Sequence, residues 1–192
     1  YDPEVIYLVA VLQNLGRLLV QYHFPDEAEQ VWQLMRPVPA PANAEPGTPA
    51  QPGMTEAGAS YAVLGVDIEA LGAAVARHWG LGEDVQHMIH RLPRDRVART
   101  PESDADVLRT AASAANDAVD AATLLPATRI AHGLGVVAQR YARALEIGGR
   151  DLQEALQAAR VALSTGRRVA TVAKQKDEAT AGPSIAGAEE GR

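Results

Sequence analysis

The chain has 192 residues, no cysteine and a formal charge of −6, with 47% hydrophobic but only 4% aromatic residues. This length fits one domain with appendages. The lack of cysteine excludes disulfides, thiolate metal sites and a cysteine nucleophile, and the acidic balance argues against nucleic acid as a main partner. A core rich in alanine and leucine favours an all-α, compact multi-helix domain, because sheets select β-branched and aromatic residues.

The first predicted helix begins at Asp2-Pro3-Glu4 and ends near His23. Its apolar residues cover most sides, so we expect it to be central and buried. Gln13, Asn14 and Arg17 interrupt the apolar run, so we expect it to be too short to span a membrane. The segment has no basic n-region and no small-residue cleavage site, so we do not expect it to be a signal peptide. Because an apolar helix opens the chain without a lead-in, we expect a fragment of a longer protein that folds poorly alone.

A second helix is predicted from Asp26, and the Pro-rich residues 37–53 follow it. Half of the twelve prolines lie in that stretch, which predicts an extended or disordered loop that is either an insertion or a linker. A polyproline ligand is an alternative, although a tolerated surface insertion is favoured.

The rest of the chain reads as further helices. Residues 93–103 are predicted to be a loop, and Asp104–Ala122 a small-residue helix whose apolar face is Leu108, Ala111, Ala112, Ala115 and Val119. The predicted organisation is a helical domain over 1–122, an additional helical hairpin over 123–163 and a disordered tail over 164–192.

Four motifs follow one another in the first half of the chain. They are Val11-Leu12-Gln13-Asn14-Leu15-Gly16-Arg17-Leu18, then Ala59-Ser60 with Val63-Leu64-Gly65-Val66-Asp67, then Leu71-Gly72, and Ala76-Arg77-His78-Trp79-Gly80-Leu81. Their succession, over about residues 2 to 93, resembles the HDOD (HD-related output domain) branch of the HD superfamily. With Gln21-Tyr22-His23-Phe24-Pro25-Asp26-Glu27, the chain is most similar to HDOD modules attached to bacterial serine/threonine protein kinases.

The resemblance implies the C-terminal portion of a cytoplasmic, HD-like signal-transduction domain. Such a domain is non-catalytic and acts through protein–protein contacts, with a kinase or other signalling domain in cis as the expected partner. The family-motif positions in this chain are His78 and Trp79, and the degenerate HD-site positions are Gln13, Asn14, Gly16 and Arg17. No nucleic acid or membrane partner is expected.

Hydrolytic members of the superfamily hold a metal with a His-Asp pair where this chain has Gln13-Asn14. Side-chain amides are poor ligands for transition metals, so we expect no metal, no cofactor and no catalytic residue here. Buried amides need hydrogen-bond partners, so both should bond to neighbouring helices. The relic site is then either structural or the site of a small-molecule ligand.

Other residues leave alternatives open. His87 and His90, with His78 upstream, could share a metal, or they could be surface histidines. The loop arginines Arg91, Arg94, Arg96 and Arg99 could receive an acidic partner surface, a nucleotide or a phosphorylated segment, or they could form a solvated mixed-charge surface.

The alternative function is a metal-dependent HD-type phosphohydrolase acting on nucleotides or cyclic dinucleotides. The chain lacks a kinase Gly-rich loop, a His-Arg-Asp loop and an Asp-Phe-Gly motif, so it is not itself a kinase. A generic helical scaffold would require the ordered motifs to be coincidence.

Overall fold

The computed structural model describes residues 1–39, 43, 45 and 51–180, with residues 166–180 described by their backbone alone. Across these ranges the chain is helical, and extended pairing is limited to one isolated bridge, so the all-α prediction is confirmed. The helices are α1 (Pro3–Leu12), α2 (Leu15–His23), α3 (Pro25–Met35), α4 (Glu56–Leu64), α5 (Ile68–His78), α6 (Glu83–Ile89), α7 (Asp104–Leu124), α8 (Ile130–Leu145) and α9 (Gly149–Thr180).

The first predicted helix is two helices, α1 and α2, that meet at an angle of 53°. Asn14 sits at the break with φ −102° and ψ 10°, and its N–H bonds to the carbonyl of Val11 three residues back. The expectation of a wholly buried helix is also wrong, because Tyr7 and Leu8 of α1 are 71% and 55% exposed. Apolar periodicity missed the break because Gln13 and Asn14 bond across to other helices.

Helices α2 and α5 cross at two glycines, Gly16 and Gly72. A Cβ atom added to Gly16 would lie 1.9 Å from the carbonyl oxygen of Ile68, and one added to Gly72 would lie 2.8 Å from the amide nitrogen of Gly16. No side chain fits between the backbones at this point. Gly16 and Gly72, which both lie in the sequence motifs, therefore allow these two helices to approach closely.

In the part of the chain that the structure describes, buried and mostly small or branched side chains form three apolar clusters. The first joins α2, α3, α4 and α5, the second joins α2, α5 and α6, and the third joins α7 and α8 with the loop before α7. Their buried members are Val20, Ala28, Val31, Ala59 and Ile68; Leu15, Ala76 and Ile89; and Ala98, Ala114 and Tyr141. Alanine-rich surfaces let the helices pack closely.

The two ends of the Pro-rich stretch 37–53 are held together. Val38 and Gln51 exchange both backbone hydrogen bonds, at 2.9 and 3.0 Å, and the N–H of Met54 bonds to the carbonyl of Leu34 at 2.8 Å. Helices α3 and α4 pack against each other on either side of it. This geometry favours an insertion over a linker; residues 40–42, 44 and 46–50, and with them the polyproline hypothesis, lie outside the described residues.

The chain divides into two compact units, Tyr1–Leu152 and Gln153–Arg192. The predicted boundary between residues 122 and 123 falls inside the first unit, because α7 continues past it and α8 packs along α7. The predicted tail covers residues 164–192. The backbone of residues 164–180 belongs to α9, and residues 181–192 lie outside the described residues.

No single helix in the described part of the chain is long and apolar enough to cross a membrane. Two bent pairs, α1 with α2 and α4 with α5, pass the same criteria of length and composition when each pair is taken together.

Candidate functional site

The break between α1 and α2 places Gln13 inside the protein, where it is 8% exposed. Its amide nitrogen lies 3.0 Å from the carbonyl oxygen of Met88. It also lies 3.2 Å from the carbonyl oxygen of Arg109 and 3.2 Å from the hydroxyl oxygen of Ser113. Its amide oxygen accepts a hydrogen bond from Asn116 at 3.0 Å. Gln13 thus ties α1 to α6 and α7, as the sequence predicts for a buried amide.

Asn14 is satisfied in the same way. Its amide nitrogen donates to the Ala10 carbonyl and to Asn116, both at 2.9 Å. Its amide oxygen accepts from the guanidiniums of Arg17, at 3.2 Å, and Arg91. At this position a cation-binding site would need an oxygen facing an open space, but the Asn14 oxygen faces two positive charges instead.

Those guanidiniums belong to a larger charged group, which we call the arginine–carboxylate cluster. Its members are Arg17, Glu56, Arg91, Arg94, Asp117, Asp120 and Arg140. Four cations face three anions, so the cluster carries one net positive charge in a protein whose formal charge is −6.

Asp120 is the centre of this cluster. It accepts from Arg17 at 3.2 Å, from Arg91 at 2.7 Å and from Arg94. Burial alone would raise the pKa of Asp120, but the three guanidiniums outweigh burial and hold its pKa below the usual range. Asp120 therefore remains ionised and holds α2, α7 and the loop after α6 together.

Two arginines of the cluster, Arg17 and Arg91, have pKa values that are shifted in opposite directions. Burial favours the neutral form of Arg17, yet Glu56 and Asp120 raise its pKa. Burial and the nearby charge of Arg17 lower the pKa of Arg91. Asp120 opposes this lowering, so it favours the charged form of Arg91.

Asp117 forms the second anionic centre, on the α8 side of α7. It accepts from Arg140 at 2.6 Å and from the Tyr141 hydroxyl at 2.7 Å, and Arg94 lies 3.2 Å away. Burial, followed by the charge of Asp117, raises the pKa of the Tyr141 phenol above its usual range. This centre fixes α8 against α7.

The cluster separates the loop arginines into two groups. Arg91, which is 12% exposed, and Arg94, which is half-exposed, pair with the carboxylates of α7. Arg96 and Arg99 are exposed and do not reach these carboxylates, and Arg96 lies 3.6 Å from Asp95. The mixed-charge interpretation applies to the second pair only.

His87 and His90, which could have shared a metal, lie beside different carboxylates. His87 lies 2.9 Å from Asp106, and His90 lies 3.2 Å from Glu69 on a different helix. His78 is exposed at the end of α5, beside the 56% exposed Trp79. Among the described residues, no group of three or more His, Asp or Glu could hold a metal ion.

The sequence did not predict the acidic side of the site, because the predicted apolar face of α7 coincides with the buried face only in part, at the fully buried Ala112. Ala115 and Val119 of the predicted apolar face are exposed, whereas Ser113 and Asp117 are buried. The missed residues are Glu56, Ser113, Asn116, Asp117, Asp120, Arg140 and Tyr141. A visible signal was the polar spacing of Ser113, Asp117 and Asp120 in an alanine-rich helix, which places them on one face.

Comparison with known proteins adds no assignment: no family model, curated protein or solved structure matches the chain. The candidate site is therefore defined by its own geometry. It is a set of buried amides and ion pairs at the junction of α1, α2, α6, α7 and α8.

Proposed function

We propose that this chain is a non-catalytic regulatory domain that transmits signals through protein–protein contacts. The observation that carries the proposal is the environment of Asn14, whose amide oxygen accepts from two guanidiniums. In a hydrolytic site of this type, a metal would lower the pKa of a bound water. Here Arg17 and Arg91 supply positive charge beside Asn14 and Asp120, and they would repel a divalent cation.

The donor set therefore does not fit a catalytic metal. Gln13 and Asn14 offer amides in place of imidazole and carboxylate ligands, and their polar atoms already bond to the protein. A metal would have to displace Arg17 and Arg91 from Asp120, which is bound to both. No hydrolytic step is assigned to this site.

The same geometry supports a role in relaying signals. The cluster joins α2, α4, α7, α8 and the loop after α6 through charged groups whose partners cannot be exchanged without breaking an ion pair. We propose that this junction has more than one packing arrangement, so that a partner favouring one of them would shift the population. We place this domain in the cytoplasm as part of the same proposal.

A hydrolysis assay tests this proposal. The purified chain is incubated with Mn²⁺ and with phosphodiesters, nucleotides and cyclic dinucleotides, and the Gln13→Ala variant serves as the matched control. We expect no turnover above the protein-free rate and less than stoichiometric zinc, manganese or iron by elemental analysis. Robust turnover that Gln13→Ala abolishes would establish the alternative, a metal-dependent phosphohydrolase.

We further propose that the domain operates in cis with a serine/threonine kinase, on the strength of its similarity to kinase-attached HDOD modules. Reading the coding sequence upstream of the Tyr1 codon tests this part. A kinase domain with a Gly-rich loop and a His-Arg-Asp motif is expected. A different upstream domain would remove the kinase from the proposal and leave the non-catalytic role standing.

A further inference from the structure

A groove of about 410 Å³ lies between α7 and α8. The two helices are antiparallel, because Asp117 contacts Tyr141 at one end while Gly133 faces Leu125 at the other. Its floor and walls carry apolar side chains from both helices: Ala121, Leu124, Leu125, Val136 and Val137. Val136 is 53% exposed, so an apolar surface is open to a partner at this place.

The charged side chains that line this groove are Arg94, Arg129 and Arg140 against Asp117 and Asp120, so they carry one net positive charge. Arg94 is paired with both carboxylates but is 51% exposed. Arg129, which directly precedes α8, and His132 on α8 are exposed. Within the described residues, neither Arg129 nor His132 forms an ion pair through its side chain.

The two carboxylates of the groove cannot offset this charge for an incoming partner. Asp117 is 5% exposed and is bound by Arg140 and Tyr141. Asp120 is 14% exposed and is bound by Arg17 and Arg91. The accessible rim is therefore cationic, although the protein as a whole is acidic.

A second apolar groove provides an internal comparison. It has about 280 Å³ between α2, α3 and α7, and Trp32 and Leu18 line it. The charged residues that line it are Arg17, Glu56 and Asp120, which are bonded to one another. That groove presents no unpaired cation, so charge distinguishes the α7–α8 groove from it.

We propose that the α7–α8 groove is a docking site for an acidic amphipathic helix of a partner protein. The occupant would place apolar side chains at spacings i, i+3 and i+7 against Leu124, Val136 and Val137, since two antiparallel helices form a trough for a third. Carboxylates along one edge of the occupant would face Arg94 and Arg129. The proposal deepens the regulatory function, and rests on it, by naming the chemistry of its partner.

The test uses a synthetic fluorescent peptide with leucine at i, i+3 and i+7 and glutamate along the flank. The control peptide has lysine for each glutamate. Fluorescence anisotropy with the full chain measures binding of each. We expect saturable binding of the acidic peptide, weakened by added NaCl because the rim charges are exposed, and no binding of the basic peptide.

Two variants locate the binding. Arg129→Glu should weaken affinity for the acidic peptide by about tenfold, because it places like charges together at the rim. Arg143→Glu makes the same change at an exposed position of α8 outside the groove and should leave affinity within about twofold. Val136→Asp should also weaken binding, and circular dichroism melts establish that each variant is folded.

Several outcomes would overturn the proposal. These are no binding of the acidic peptide, equal binding of the basic peptide, or equal effects of Arg129→Glu and Arg143→Glu. Without acidic-peptide binding, cosedimentation with phosphatidylserine vesicles that Arg129→Glu abolishes would assign the groove to a membrane surface. Self-association that Val136→Asp abolishes would assign it to a second copy. If the acidic peptide does not bind and the hydrolysis assay shows no turnover, the docking proposal for the groove is refuted and the regulatory proposal still stands.

Discussion

Replacing Asp120 by asparagine should lower the free energy of unfolding by about 3 kcal/mol. Removing one partner of a buried ion pair costs roughly 3–5 kcal/mol. The lower end applies because Arg94 is half-exposed and Arg17 keeps Glu56. Arg91, 12% exposed and 4.0 Å from Asp117, is then left as the poorly compensated cation.

Thermal and urea unfolding followed by circular dichroism measure this loss. For a chain of this size, about 3 kcal/mol corresponds to a drop of roughly 6–12 °C in Tm. Asp95→Asn is the matched control, because Asp95 and Arg96 form an exposed pair at 3.6 Å and should change stability by less than about 0.5 kcal/mol. An Asp120→Asn protein as stable as Asp95→Asn would refute the assignment of Asp120 as the electrostatic centre.

The remaining predictions concern pH, packing and a buried phenol. Because the pKa of Asp120 is lowered in the folded state, its stabilisation is complete above the unfolded value near 3.9 and is lost as pH falls through the folded value. The difference in unfolding free energy between wild type and Asp120→Asn should therefore shrink as the pH is lowered below that unfolded value, and a difference independent of pH over the acidic range would contradict this. Gly16→Ala should destabilise the protein by about 1–3 kcal/mol in urea unfolding, because a Cβ there would meet backbone, whereas Gly135→Ala, with nothing within 4 Å, should be neutral or stabilising by up to about 1 kcal/mol; equal effects would argue against the close helix crossing. Tyr141→Phe should lower the free energy of unfolding by about 1–2 kcal/mol, because it removes the hydrogen bond to Asp117. It should also remove the tyrosine with the raised pKa from an alkaline spectrophotometric titration, and an unchanged titration would contradict the burial of this phenol.

Much of the helical architecture follows from the sequence alone. Asp67 caps α5 by accepting from the Glu69 N–H at 2.8 Å, and Gly65 ends α4 with φ 70°, as their residue types predict. On α8, Leu134 and Tyr141, which lie seven residues apart and so on one helix face, are both buried. These features are local, since a cap or an apolar stripe is determined by residues within a few positions of one another.

The polar side chains of the core could not be predicted from such local patterns. Ser113 and Asp117 are buried although their residue types are usually exposed, because Gln13, Arg140 and Tyr141 reach them from distant parts of the chain. The sequence identified the amide pair and its need for partners. It contained no information on which groups those partners would be.

The sequence by itself determined the all-α class, individual helix caps such as Asp67 and Gly65, and the chemistry that Gln13 and Asn14 offer. Tertiary structure decided the break between α1 and α2, the inward turn of Arg91 and the buried face of α7. The physical reason is that capping and periodicity act over a few residues. An ion pair such as Arg17 with Asp120, separated by 103 positions, depends on how the helices pack.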